Sequence, residues 1–212
     1  MKQSNFAETA LLIIDVQNDF CPGGALAIAH GDEVITPLNA LAEQCAAKGS
    51  KVIATADWHP AQHVSFASTH AGKRVGDNVN GQALWPDHCV QGSEGAHFHA
   101  RLNLKPVQLI IRKGFRAQLD SYSAFFENDW HTPTGLDGFL KGLGVKTVVV
   151  GGLATDYCVL YSALDAARLG FKTIVLQDAI RPVGFPAGSE ELAFEAMRKV
   201  GITLTTSGEV AG

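Results

Sequence analysis

The sequence predicts an α/β fold in which a doubly wound, six-stranded parallel sheet is flanked by helices on both faces. Six short segments are apolar along their whole length rather than at alternate positions, which is typical of strands buried on both faces. Helical patterns lie between most of them, and three of these patterns end on a glycine directly before the next strand. This alternation indicates right-handed crossovers within one sheet.

The elements follow one another in a regular order, with one exception. The predicted strands are ALLIIDV, KVIATAD, VQLIIRK, KTVVVGG, KTIVLQD and the weaker GITLTT. The predicted helices are EVITPLNALAEQCAAKG, LDGFLKGLG, DYCVLYSALDAARLG and SEELAFEAMRKVG. The exception is a segment at about 58–106, which is rich in His, Gly, Asn and Pro and has no clear periodicity. A loop of that length in a compact domain is usually functional.

Composition and charge limit the function classes. A chain of 212 residues with 46% hydrophobic residues is long enough for one domain, over residues 1–212, with a sizeable core. The net charge of -4 and the scattered lysines and arginines make nucleic acid an unexpected partner. The first apolar run is interrupted by Asp15 and is too short for a secretory signal or a membrane span. We therefore expect a soluble, cytoplasmic protein with no membrane partner, whose four cysteines remain thiols.

Polar residues collect where the predicted strands end. In open α/β sheets, ligands bind beyond the carboxyl ends of the strands. The residues at those ends are Asp15, Asp57, Lys113 and, after two glycines that follow the fourth strand, Cys158. We expect these four side chains to lie at one edge of the sheet. Asp178 also ends a predicted strand, but we interpret it as a residue at which the chain leaves the core.

The position of Cys158 favours a nucleophile. Thr155 is a candidate N-cap, which would place Cys158 in the first helical turn. The positive end of a helix lowers a thiol pKa from about 8.5 toward neutrality, and the thiolate is the reactive form. No histidine lies at a strand end, but Asp15 can accept the thiol proton if the Lys113 ammonium balances its charge. The alternative is a buried cysteine that serves only as a small apolar side chain.

A second group of residues suggests a metal site. Asp57 and His59 are two residues apart at a strand end, so their side chains can point the same way. Two imidazoles and a carboxylate with open positions suit Zn²⁺ or Fe²⁺. Spacing alone leaves the second histidine open, because the long loop contains several: His63, His70, His88, His97 and His99. Solvated loop histidines without a metal are the alternative.

Five motifs, in this order, closely resemble the nicotinamidases of the isochorismatase-like cysteine hydrolases. They are IIDVQNDFCPGGAL, ATADWHP, ALWPDHCVQGSEGA, IIRKG followed by DSYSAFF, and GGLATDYCV. They extend over nearly the whole chain. The resemblance implies the family's six-stranded parallel sheet and an amidohydrolase that converts nicotinamide and water to nicotinate and ammonia in NAD salvage. It also implies a cysteine thioester intermediate and activity on pyrazinamide.

The resemblance assigns roles residue by residue. It implies that Cys158 is the nucleophile, Asp15 its base and Lys113 the charged partner of both. It also implies a cis peptide bond between Leu153 and Ala154, with the backbone N–H groups of Ala154 and Cys158 as the oxyanion hole.

The same resemblance implies one divalent metal ion, Zn or Fe with Mn also compatible, held by Asp57, His59 and His88. The residues that match the walls of the family's pyridine pocket are Phe20, Trp85 and Tyr122. His63 is a possible fourth ligand at an unfamiliar spacing, and residues 115–119 match no motif.

Three alternatives remain at this point. A non-metal relative acting on isochorismate or a carbamoyl compound would keep the nucleophile group but would not need Asp57, His59 and His88. A zinc-stabilised interaction domain without catalysis would need a closed set of four ligands, several of them cysteine, and the sequence shows no such grouping. A redox sensor built on Cys158 would need a resolving cysteine nearby. We expect nicotinamide as the small-molecule partner and a monomer or a homodimer.

Overall fold

Eight strands and five helices form the fold of residues 6–211, the part of the chain that a computed structural model describes. The strands are β1 (Thr9–Ile14), β2 (Lys51–Asp57), β3 (Asn78–Val79), β4 (Gln82–Ala83), β5 (Leu109–Lys113), β6 (Thr147–Leu153), β7 (Lys172–Arg181) and β8 (Thr203–Thr205). The helices are α1 (Ile35–Ala47), α2 (Leu136–Gly142), α3 (Leu160–Arg168), α4 (Ser189–Lys199) and α5 (Ser207–Ala211). A π-helical turn, Thr155–Val159, leads directly into α3.

Six of the strands form one parallel sheet in the order β5-β2-β1-β6-β7-β8. All six predicted strands are present, and the predicted fold class is confirmed. The strand order reverses direction between β1 and β6, which are neighbours in the sheet although far apart in the chain. Ligands in such sheets bind at this switch point, beyond the carboxyl ends of the strands. Asp15 and Cys158 follow the two strands that flank it.

Burial on both faces explains the continuous apolar runs of the central strands β1, β2 and β6. The prediction of burial on both faces is wrong for the edge strand β5, in which Ile110 is 46% exposed. In β1, Leu11 and Ile13 pack in a core with α1 and α5. Leu12 and Ile14 point to the other face and pack in a second core with α2, α3 and α4. No helix among residues 6–211 is long and apolar enough to cross a membrane.

Two strands and one helix were not predicted from the sequence. The antiparallel pair β3–β4 lies inside the long segment between β2 and β5, and α5 closes the chain. Asp178 does not end its strand, because β7 continues to Arg181; its carboxylate instead accepts hydrogen bonds from the N–H and hydroxyl of Ser207 at 2.8 and 2.6 Å. The expected single domain over residues 1–212 stays a prediction, and residues 1–5 and 212 lie outside the described residues.

Gly152 is the residue that lets β6 run close beside β1 at the switch point. Its φ is +124°, and a Cβ there would lie 2.1 Å from the carbonyl oxygen of Ile14. Only glycine adopts this backbone without strain, and the contact leaves no room for a methyl group.

We predict that Gly152→Ala lowers the free energy of unfolding by about 2 kcal/mol or more, because backbone strain and overpacking add. Urea denaturation of the variant and the wild type measures this. Gly142→Ala is the matched control, since nothing lies within 4 Å of its Cβ position at the end of α2. Equal midpoints for Gly152→Ala and the wild type would contradict the prediction.

Candidate active site

A buried ammonium group joins the ends of four strands. Lys113, the last residue of β5, is 0% exposed. Its Nζ lies 2.8 Å from Asp15 Oδ2 and 2.5 Å from Asp57 Oδ1. It also donates to the Ser121 carbonyl oxygen at 2.9 Å and to Cys158 Sγ at 3.3 Å. The structure therefore brings together the four strand-end residues that the sequence placed at one edge of the sheet.

Asp15 is held in place as a potential base for the thiol. It follows β1 with a φ of +49°, and its Oδ1 accepts a 2.6 Å hydrogen bond from the Thr55 hydroxyl. Its Oδ2 pairs with the ammonium of Lys113 and accepts no hydrogen bond from the described residues. A carboxylate oxygen of Asp15 lies within 4.8 Å of Cys158 Sγ. Burial raises the pKa of Asp15 to about 6, against the opposing charge of Lys113, so the group can take and return a proton near neutral pH.

The turn that carries Cys158 differs from the predicted helix start. The prediction that Thr155 is the N-cap is wrong: Ala154 precedes the turn, and the buried Thr155 hydroxyl has no hydrogen-bond partner among the described residues. The turn is π-helical, with the N–H of Val159 donating to the Ala154 carbonyl oxygen at 3.0 Å. The capping position thus moves to an alanine, whose side chain cannot accept a hydrogen bond.

The prediction of an acidic thiol is also wrong for this resting site. Complete burial raises the pKa of Cys158 well above its usual value, and the charges of Asp15 and Asp57 act in the same direction. The Lys113 ammonium opposes this shift but does not overcome it. Desolvation outweighs the dipole of the helix end. Cys158 is therefore a neutral thiol at rest, and its ionisation requires a proton acceptor.

Asp57, His59 and His88 form a compact set of potential metal ligands. One ligand atom from each lies within 4.8 Å of the others, and all three residues are buried. The Nε2 atoms of His59 and His88 lie 3.6 and 3.9 Å from Asp57 Oδ2. Each Nδ1 faces a backbone carbonyl oxygen, of Gly114 at 2.8 Å and of Pro86 at 2.7 Å. Metal-binding histidines are typically oriented in this way: one ring nitrogen, here Nδ1, is hydrogen-bonded, and the other, here Nε2, is left to bind the metal.

The protonation states of Asp57 and His88 also suit a cation. Burial disfavours the ionised form of Asp57, but the Lys113 ammonium, His59 and His88 together outweigh it and hold the pKa of Asp57 well below its usual range. Burial and the neighbouring His59 lower the pKa of His88 to about 4, so its imidazole is neutral at physiological pH. An ionised carboxylate and a neutral imidazole are the forms that bind a metal. Burial opposes the charged form of His59, but Asp57 outweighs it and raises the pKa of His59, so this ring would release a proton when a metal binds. The three residues therefore fit a divalent ion with open coordination positions.

His63 lies beside this set but is engaged elsewhere. Its ring stacks on that of His59 at 4.1 Å between centroids. Its Nδ1 lies 2.7 Å from the Ser65 hydroxyl, and its Nε2 lies 3.3 Å from the Leu119 carbonyl oxygen. The segment 115–119, which matched no motif, thus forms the wall behind His63. A role for His63 as a fourth ligand stays an open possibility of the sequence and gains no support from these contacts.

One cavity contains the thiol, the metal-ligand set and several aromatic rings. The three residues predicted to face the pyridine ring all line it: Phe20, Trp85 and Tyr122. The lining residues that the sequence did not indicate are Leu26, Asp120, Tyr157 and Val183. Trp85 meets Tyr157 edge to face at 4.9 Å, and its Nε1 donates to the Tyr122 hydroxyl at 3.2 Å. The predicted cis peptide bond between Leu153 and Ala154 is present.

Three positioning residues were missed by the sequence analysis. Thr55 in β2 holds Asp15. The fully buried Gln17 accepts from the N–H of Asp57 and donates to its carbonyl oxygen, both at 2.8 Å. Gly114 has a φ of +62°, and a Cβ there would lie 2.4 Å from the His59 ring. Gln17 and Gly114 lie within the quoted motifs, whereas nothing in the sequence distinguishes Thr55 from an ordinary strand residue.

Comparison with known proteins identifies the family. The family model described as the isochorismatase domain matches residues 9–209. The chain belongs to the isochorismatase family. Within it, a nicotinamidase of Acinetobacter baylyi is 44% identical over 211 residues, which cover 98% of this chain and 95% of that protein. The resemblance inferred from the five motifs is therefore confirmed.

Solved structures of isochorismatase-family proteins agree with this assignment. The nicotinamidase/pyrazinamidase of Acinetobacter baumanii superposes with a TM-score of 0.92 at 46% identity, covering 99% of this chain and 100% of that chain. A pyrazinamidase of Pyrococcus horikoshii in complex with zinc superposes with a TM-score of 0.79 at 36% identity, covering 94% of this chain and 99% of that chain. Together with the ligand set in the cavity, the zinc complex suggests a divalent metal in this chain.

We predict that His59→Ala removes most of the bound metal, because it deletes one of three buried ligands. Metal content after zinc loading and desalting measures this. His97→Ala is the matched control: its side chain is 57% exposed, lies in the same long loop and pairs only with Glu94. Metal content of His59→Ala equal to that of the wild type would exclude this ligand assignment.

Proposed function

We propose that the protein is an amidohydrolase that converts nicotinamide and water to nicotinate and ammonia, and that it also hydrolyses pyrazinamide. The observation that carries this proposal is a thiol, a carboxylate and an ammonium in mutual contact, in the same aromatic-lined cavity as a metal-ligand set. The high identity to a nicotinamidase over nearly the whole chain supports this substrate.

The metal-ligand set accounts for recognition of the ring. Asp57, His59 and His88 would hold a divalent ion, Zn or Fe, which would supply a Lewis acid for the pyridine nitrogen. Phe20, Trp85 and Tyr122 would enclose the ring, which leaves the carboxamide near Cys158. Holding the reacting groups in this way removes much of the entropic cost of the reaction.

The first half of the reaction uses the three residues around the ammonium. Asp15 accepts the thiol proton of Cys158, and the sulfur attacks the carboxamide carbon. The backbone N–H groups of Ala154 and Cys158 hold the oxyanion. Asp15 then donates the proton to the amide nitrogen, the carbon–nitrogen bond breaks, and ammonia leaves a thioester on Cys158. The Lys113 ammonium keeps the exchange of one proton between carboxylate and sulfur close to charge-neutral.

The second half reverses these roles. Asp15 removes a proton from a water molecule that attacks the thioester carbon. The carbon–sulfur bond breaks, the acid product is released as nicotinate, and Asp15 returns its proton to the Cys158 sulfur. The same carboxylate thus serves twice as base and twice as acid, for which a pKa of about 6 is suitable.

The alternatives are less well supported. A non-metal relative has no use for two buried histidines whose Nε2 atoms face one carboxylate oxygen. The ligand set has three members and opens on a cavity, unlike a closed structural zinc site.

A cytoplasmic location remains part of our proposal, supported by four free cysteines, which a reducing compartment keeps as thiols. A monomer or homodimer remains the expected oligomeric state.

We predict that Cys158→Ala lowers ammonia release from nicotinamide by at least about a thousandfold, because no other group can form the thioester. Zinc content should stay at the wild-type level. Cys45→Ala is the matched control, since Cys45 is also a buried thiol but lies on α1, in the core between α1 and the sheet. Ammonia release by Cys158→Ala at near wild-type rates would exclude the nucleophile assignment.

We predict that kcat/KM for nicotinamide falls by about tenfold per pH unit below about pH 6, because only the ionised form of Asp15 accepts the thiol proton. The activity is therefore retained above that pKa and lost as the pH falls through it. Thr55→Val should move this acidic limb of the pH–rate profile to higher pH, because the Thr55 hydroxyl lowers the pKa of Asp15. Rates measured between about pH 4.5 and 8 test both statements; an unmoved limb in Thr55→Val would argue against Asp15 as the titrating base.

A further inference from the structure

Asp156 is a buried carboxylate that the proposed reaction does not use. It is 5% exposed and lies in the π-helical turn, two positions before Cys158. Its side chain accepts three hydrogen bonds: from the N–H groups of Val183 and Gly184, both at 2.9 Å, and from the Ser189 hydroxyl at 2.6 Å. All three donors come from one stretch of chain, so the carboxylate joins that stretch to the turn of Cys158.

The stretch that Asp156 holds forms part of the cavity wall. Two of the donors lie in the connection between β7 and α4, residues 182–188, and the third begins α4. This β7–α4 connection is exposed from residue 184 to residue 188, so little other structure supports it. At its inner end, Val183 lines the cavity that contains Cys158. A wall residue is therefore carried by a segment that Asp156 ties to the nucleophile's turn.

A second contact joins the connection to the aromatic side of the cavity. The Tyr157 hydroxyl donates to the Phe185 carbonyl oxygen at 2.5 Å. The Trp85 ring meets the rings of Tyr157 and Phe185 edge to face, at 4.9 and 6.5 Å between centroids. Hydrogen bonds to a carboxylate are about twice as strong as those between neutral groups. With three such bonds against one from Tyr157, Asp156 provides most of the hold on the connection.

We propose that Asp156 is a positioning residue for substrate binding, which acts by holding Val183 of the β7–α4 connection against the bound aromatic ring. Asp156 itself is not among the residues that line the cavity, so its effect on the substrate passes through Val183. Loss of an apolar wall contact weakens the ground state and the transition state alike, which raises KM and leaves kcat unchanged. The inference rests on the proposed function, because the ring is that of nicotinamide.

The experiment measures kcat and KM for nicotinamide with the zinc-loaded protein. Asp156→Asn keeps the size of the side chain but turns an amide N–H₂ group toward hydrogen-bond donors, so part of the hold is lost. We expect KM to rise by about tenfold while kcat changes by less than about twofold. Ser189→Ala removes one of the three hydrogen bonds without altering the turn of Cys158, and should raise KM by about threefold.

A similar pair on the same strand provides the controls. Asp178 in β7 accepts from the N–H and hydroxyl of Ser207 at 2.8 and 2.6 Å, and Ser207, like Ser189, begins a helix. Neither Asp178 nor Ser207 lines the cavity. Asp178→Asn and Ser207→Ala should therefore leave both kcat and KM unchanged. Thermal unfolding of each variant checks that it is folded.

Val183→Ala tests whether Asp156 acts through this residue. The variant removes two methyl groups from the cavity wall and should itself raise KM by about tenfold. In the double variant with Asp156→Asn, the two losses should not add, because each removes the same contact with the ring. The KM of the double variant should therefore stay close to that of the weaker-binding single variant.

Three results would overturn the inference. The first is a fall of kcat in Asp156→Asn with KM unchanged, since Asp156 would then support only the turn of Cys158. The second is additive losses in the double variant with Val183→Ala. The third is a KM of Ser189→Ala equal to that of Ser207→Ala, and this comparison decides the matter if Asp156→Asn does not fold.

Nicotinamide binding to the Cys158→Ala protein separates the inference from the proposed function, because it requires no turnover. Isothermal titration calorimetry should show that adding Asp156→Asn weakens binding by about tenfold. That result would support the inference even if the wild type released no ammonia, which would count against the proposed function alone. Equal binding with and without Asp156→Asn would overturn the inference alone. Absence of both binding and ammonia release would overturn both.

Discussion

The buried ammonium of Lys113 is the interaction on which the rest of the site depends. Burial disfavours its charge, but the carboxylates of Asp15 and Asp57 outweigh this and raise its pKa well above the usual value. Each of those carboxylates is buried and would be costly without the ammonium. The three groups are therefore stable only together, and the sheet determines that they meet, because β5, β2 and β1 are adjacent. Removing the lysine would leave two uncompensated buried anions.

Asp57 links the two halves of the site through its two oxygens. Its Oδ1 faces Lys113, and its Oδ2 faces the Nε2 atoms of His59 and His88. One carboxylate thus orients the ammonium beside Cys158 and completes the set of potential metal ligands. Gln17 and the end of β2 hold its backbone, so neither partner can move it freely. We infer that a metal bound to this set would also affect the charge balance around Cys158, because an Asp57 carboxylate oxygen lies within 4.8 Å of its Sγ.

Much of the fold and the position of the site could be predicted from the sequence. Strands buried on both faces have continuous apolar runs, and parallel strands place their carboxyl ends at one edge, so Asp15, Asp57 and Lys113 were predictable. Only the resemblance to the family selected His88 among the loop histidines. A loop without a periodic pattern gives no indication in its sequence of where its side chains will lie. The predicted low pKa of Cys158 was wrong, because the local sequence indicates the effect of the helix end but not the desolvation of the thiol by the rest of the fold. Asp120 was missed for a related reason: only the folded loop brings its carboxylate to the cavity.

The architecture divides chemistry from recognition. The strand ends hold the Cys158 thiol, the Asp15 carboxylate and the Lys113 ammonium, and in the proposed mechanism these groups act on the carbonyl carbon of the amide. The segment between β2 and β5 carries His59, Trp85 and His88, which face the rest of the cavity. Function in such folds is a property of sites that loops build on a stable scaffold. Changes in this segment should therefore alter which amide is accepted while the strand-end chemistry persists. The exception is Asp57, which belongs to the strand and the metal site at once and so restricts how far the two parts can diverge independently.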